Sequence, residues 1–116
     1  MISKNYRLKE SEVKKVLQTG KPFFSFGVVL NYKKNTLGNN RFAIVIGGKS
    51  VNGSVERNFF RRIFYDICKN YLEGNSDLVF VVKKQTKLDK NLLESIKEFE
   101  KDINFLMKNT LKFNNK

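Results

Sequence analysis

The sequence predicts an α+β fold, a central sheet with helices packed on it, and three observations carry that prediction. Apolar residues recur at helical spacing in some stretches and in extended runs in others. The order is helix, strand, strand, helix, strand, helix, with no linker or repeat between them. Asp77-Leu78-Val79-Phe80-Val81-Val82 is a continuous apolar run, as expected of a strand covered on both faces. At 116 residues there is room for one domain with one modest core.

Each element has a local reason. Ser11 can cap a short helix that carries Val13, Val16 and Leu17 on one side, and Gly20 is placed to end it. Pro22 leads into Phe23 to Lys33, whose aromatic and β-branched residues favour one extended strand. Asn35 to Asn40 is a turn, and Arg41 to Ile46 is a second strand, so these two should form a hairpin. A glycine-bearing loop, Gly47 to Gly53, ends at Ser54, a candidate N-cap. Phe60, Ile63, Phe64, Ile67, Cys68 and Tyr71 then define a helix to about Leu72. After the strand at 77–82, Asp89 can cap a last helix whose buried stripe runs from Leu92 and Leu93 to Met107. The domain is expected to span 1–110, with 111–116 a disordered tail.

Charge points to the partner. The chain carries +12 formal charges and a pI near 9.9, a field that attracts polyanions, nucleic acid first. The apolar run from Phe23 to Leu30 is too short to span a bilayer, and the first residues lack the apolar core of a signal peptide. The single cysteine, Cys68, can make no internal disulfide, which fits a reducing cytoplasm. With no histidine, no Ser-His-Asp or Cys-His nucleophile and no His-ligated metal site can form. No phosphate-binding glycine fingerprint is present. A paired-carboxylate site stays open, but the eleven acids are scattered and mostly interleaved with lysine, and no catalytic residue or protein metal site is predicted.

Three of the five arginines fall in Arg57-Asn58-Phe59-Phe60-Arg61-Arg62. The guanidinium fork matches phosphate oxygens in a way that lysine's point charge does not. On a helix, Arg57, Asn58, Arg61 and Arg62 fan over about 140° between the apolar stripe and solvent. The helix N-terminus and Lys49 in the preceding loop would complete an anion site. The plainer alternative is a solvated face pairing with Glu56 and Asp66.

The order Tyr6-Arg7-Leu8-Lys9, Val16 to Gly20, Val28-Val29-Leu30, Arg41 to Val45 and Lys49 to Asn58, followed by Arg61-Arg62, resembles the protein subunit of bacterial ribonuclease P. The similarity runs from about Tyr6 to Met107. It implies an α/β sandwich with a central mixed sheet, in which the arginine helix joins two parallel strands by a left-handed crossover against the usual right-handed rule. It also implies a function. In that family a large RNA removes the 5′ leader of precursor tRNA, using Mg²⁺ bound chiefly by the RNA. The protein holds that RNA and guides the leader, with no DNA or membrane partner expected. Carried over by position, Lys49, Arg57, Asn58, Arg61 and Arg62 would contact RNA, with Arg7 and Lys9 as weaker members. Val13, Leu17 and Tyr32 are the candidates for the leader cleft.

Two positions depart from the family pattern. Phe59 stands where a basic residue is typical, opposite the apolar stripe, where it could stack on a base. Gly48 and Ser50 flank Lys49 where further cations often recur. Strand alternation would place Phe24, Phe26, Val28, Leu30 and Tyr32 on one face, and a bulge near Ser25–Gly27 would switch that register. Two other functions are compatible with composition: a structural RNA-binding module such as a ribosomal protein, and a small nuclease with carboxylate metal ligands.

Overall fold

The computed structural model describes residues 2–47, 53–84 and 86–114. A short 3₁₀ turn, Lys4–Tyr6, precedes α1 (Glu10–Thr19), β1 (Lys21–Phe24), β2 (Val28–Lys34) and β3 (Arg41–Val45). Then follow α2 (Ser54–Cys68), a second 3₁₀ turn at Lys69–Tyr71, β4 (Ser76–Val82) and α3 (Leu93–Asn114). The strands form one mixed sheet in the order β1-β2-β4-β3.

Two features of that sheet differ from the sequence expectation. The single first strand is a hairpin: β1 and β2 run antiparallel, with Phe23 opposite Leu30 and Phe24 opposite Val29. The chain reverses at Ser25–Gly27, where the Ser25 N–H and Oγ both donate to the Val28 carbonyl at 2.9 Å. The expected hairpin between β2 and β3 is absent, because β4 lies between them, antiparallel to β2 and parallel to β3. The Asn35–Asn40 connection instead spans the segment that feeds β4. Asn35 donates from Nδ2 to Asp77 Oδ1 at 2.8 Å. Buried Asn40 donates to the carbonyls of Tyr71 (2.7 Å) and Glu73 (2.8 Å) and accepts from the Ser76 N–H (3.0 Å). β4, apolar on both faces, thereby takes the central position that covers both.

One face of the sheet packs on α2 and α3. Leu30, Phe42, Ile44, Leu78 and Phe80 meet Phe60 and Phe64 of α2 and Phe99, Ile103, Leu106 and Met107 of α3. The other face carries α1 over a smaller cluster of Val16, Ala43 and Val79. Arg41 ties that side together. Its Nε and Nη2 bind Asp77 at 2.9 and 2.8 Å, and Nη1 binds Glu12 of α1.

The helix ends shift from the predicted caps. Lys9 precedes α1, with its N–H bonded to Glu12 Oε1 at 2.8 Å, and Ser11 lies within the first turn. Gly53, at φ +92°, precedes α2, so the left-handed position falls on glycine and Ser54 begins the helix. Asp89 closes a turn through the Asn91 N–H (2.9 Å), and α3 begins only at Leu93. Leu92 and Leu93 are consequently exposed rather than part of the buried stripe. The helix also continues past Thr110 to Asn114, because Leu111 still packs on the core, so the expected disordered tail is helical through Asn114.

Candidate nucleic-acid interface

The arginine helix emerges as its periodicity requires. Phe60, Phe64, Ile67 and Cys68 bury one face of α2. Asn58 and Arg62 are exposed, and Arg57 and Arg61 are half-buried beside the apolar stripe. Arg61 Nη1 lies 3.4 Å from Asn58 Oδ1, one turn away. Among the described residues no carboxylate lies within ion-pair distance of Arg57, Arg61 or Arg62. Asp66 pairs instead with Lys69 at 3.2 Å. Among the described residues the arginines of this face therefore form no ion pair with Glu56 or Asp66. Lys49 lies outside the described residues.

Arg7 extends this surface. Its backbone bridges to Phe42 at the β3 edge, and the Leu8 N–H donates to the Phe42 carbonyl at 3.0 Å. Its charge is felt at Tyr65 on α2: burial, then Cys68, pushes the Tyr65 phenol up, while Arg7 and Arg61 pull it down. Arg7 and Lys9 also line one shallow depression with Asn39 and Arg41. That depression is also lined by Glu12, which pairs with Arg41, so Arg7 and Lys9 are its remaining cations beside Lys4.

The three cleft candidates do not come together. Val13 packs on the α1 side with Val16, Ala43 and Val79, and Leu17 is 41% exposed on the same helix. Tyr32 lies on the opposite face, edge-to-face with Phe23 at 6.3 Å and packed on the α2–α3 core. The alternation that put Phe24 with Tyr32 fails because the chain reverses between β1 and β2. Phe59 also departs from expectation: it is half-buried and edge-to-face with Phe60 at 5.3 Å, not presented outward.

Sequence reasoning missed the surface that does face α1. Cross-strand register places Phe24, Val29, Val81 and Val45 in one row on that face. Glu12 and Lys15 of α1 lean towards Arg41 and Asp77, which turns Val13 and Leu17 towards this row. Phe24 is 64% and Val45 39% exposed, so the row is an open apolar shelf beside α1. The Ser25-Phe26-Gly27 turn, had it been read as a reversal, was the signal for it. Among the described residues no three His, Cys, Asp or Glu side chains converge as metal ligands, and no described helix is long and apolar enough to cross a membrane.

Fold and site together define a small α+β protein with an arginine-bearing helix packed on one face of its sheet and an apolar shelf beside its first helix. Residues 2–110 match the ribonuclease P family model, and the chain belongs to that family. The fold is similar to that of the RNase P protein of Staphylococcus aureus, with a TM-score of 0.69 at 15% identity, covering 90% of this chain and 94% of that one. The RNase P protein of Thermotoga maritima gives a TM-score of 0.57 at 19% identity, covering 93% and 94%. At these identities the likeness establishes the fold. A comparison with curated proteins finds no match.

Proposed function

We propose that this chain is the protein subunit of a cytoplasmic ribonuclease P, binding the catalytic RNA and the 5′ leader of precursor tRNA while the RNA performs the cleavage. The observation that carries the reading is the family match over residues 2–110 on a chain whose α2 presents Arg57, Asn58, Arg61 and Arg62 with no described acidic partner. In this reading the α2 guanidinium groups donate to phosphate oxygens of the catalytic RNA, each as a bidentate pair. Lys49, Arg7 and Lys9 add charge at the margins. The shelf of Val29, Val81 and Val45, walled by Val13 and Leu17, takes the unpaired leader through apolar contact with its bases. Mg²⁺ belongs to the RNA partner, which offers the phosphate oxygens it prefers. On the protein, Glu12 and Asp77 are already committed to Arg41.

The test is cleavage of a precursor tRNA by bacterial ribonuclease P RNA at low Mg²⁺, with and without the protein. Stimulation that depends on the 5′ leader is the expected result. A folded protein that binds RNA tightly but stimulates no bacterial ribonuclease P RNA, its cognate included, would instead be a structural RNA-binding module.

A further inference from the structure

The β1–β2 hairpin ends in a phenylalanine that neither the core nor the arginine surface uses. Phe26 is 91% exposed, and Phe24 just before it faces solvent on the α1 side. An isolated exposed apolar residue is ordinary. The support beneath this one is not. The Gly27 N–H donates to Asp102 Oδ2 of α3 at 3.1 Å, and its carbonyl accepts from the Lys83 N–H (3.0 Å) and Thr86 Oγ1 (3.2 Å). Lys83 Nζ donates to the Ser25 carbonyl at 2.8 Å. A Cβ on Gly27 would come within 3.0 Å of Asp102 Oδ2 and 3.1 Å of Thr86 Cγ2, so the turn sits tight against both. Both neighbours of Phe26 are thus held by α3 and the chain leaving β4, and the ring projects from a fixed mount.

Lysines lie beside that mount together with one acid, the Asp102 carboxyl. Lys83 and Lys101 both act on the Asp102 carboxyl, and Lys84 and Lys87, both exposed, follow in the same loop. An outward aromatic ring among lysines is how single-stranded nucleic acid is held without sequence readout. Topology links it to the arginine helix. β3 and β4 are parallel and β2 is antiparallel to β4. The hairpin tip, the ends of β3 and β4 and the start of α2 therefore gather at one end of the sheet. Two strand spacings, about 10 Å, separate β2 from β3, well within the reach of one bound strand.

We propose that Phe26 is a stacking platform for an unpaired base of the RNA that α2 grips. This rests on the RNA-binding reading above, and the base could come from the catalytic RNA or from the leader. The chain has no tryptophan, so Phe26→Trp supplies a single fluorescent reporter at the tip. Its emission is followed first with ribonuclease P RNA alone, then after adding precursor tRNA with either a natural leader or one lacking bases. Quenching by the catalytic RNA alone assigns the base to that RNA. Quenching only when a leader with bases is added assigns it to the leader. In the responding arm Phe26→Ala should weaken binding about tenfold, with Phe26→Tyr retaining affinity. Unchanged emission in both arms, while anisotropy of labelled RNA shows the complex formed, overturns the proposal and leaves the subunit reading intact. Failure of the unsubstituted protein to bind either RNA sinks both.

Discussion

Arg41 and Arg57 show how position decides what an arginine does. The Arg41 guanidinium is enclosed by Asp77 and Glu12, which raises its pKa above the ordinary value, Asp77 contributing most. It joins α1 to two strands and has little donor capacity left for a ligand. Removing it strands a nearly buried Asp77 carboxylate, so Arg41→Ala should lower unfolding stability by about 2–3 kcal/mol in urea titrations. Glu12 adds a pH signature. The Lys9 N–H, and then Arg41, hold its carboxyl below the usual range against the opposing effect of burial. A depressed folded pKa contributes stability that is present above the unfolded value and lost as pH falls through the folded one. Glu12→Gln should therefore be less stable than the parent at neutral pH and lose less on acidification, measured as Tm against pH. Equal acid limbs for the two proteins would reject that account.

Among the elements, the link from α2 into β4 is the most demanding. Gly74 adopts φ +144°, and a Cβ there would lie 2.4 Å from Asn40 Oδ1. Asn40 is the residue that ties the β2–β3 connection to this segment, so a side chain at Gly74 must displace it. Gly74→Ala combines backbone strain with the loss of up to three hydrogen bonds, a penalty of about 3 kcal/mol or more. Chemical denaturation should show it, and a variant as stable as the parent would mean that Asn40 can be accommodated elsewhere. The hairpin β1–β2 is governed by the same kind of close approach, with Asp102 and Thr86 against Gly27.

The whole molecule acts as a cation of formal charge +12, and its affinity for RNA should fall as salt rises. Removing one phosphate-binding cation reduces the log–log slope by about 0.7–0.9. Replacing Arg57 and Arg61 together by alanine should weaken assembly with ribonuclease P RNA and flatten that slope by about 1.5. The same slope for both proteins would place the phosphate grip elsewhere.

Much of this was legible in the chain itself. The helical spacing of Phe60, Phe64 and Ile67 placed the α2 arginines on a solvent-facing sector, and the apolar run at 77–82 announced a strand buried on both faces, because both readings depend on residues close in sequence. The family order extended them to the whole fold. What local pattern could not reach was pairing between distant segments. Whether β4 enters between β2 and β3 depends on Asn35 meeting Asp77, and Asn40 meeting Tyr71, Glu73 and Ser76, across the fold. Phe24 was grouped with Tyr32 because alternation ignores a reversal. Val28, Leu30 and Tyr32 do share the α2–α3 face, but the turn after Phe24 puts that ring on the other one, and the turn is held by Asp102 and Thr86, far along the chain. Propensity and periodicity are local free energies and were determined by the sequence directly. Register, sheet order and the apolar shelf are set by long-range hydrogen bonds and burial, and only the tertiary structure decided them.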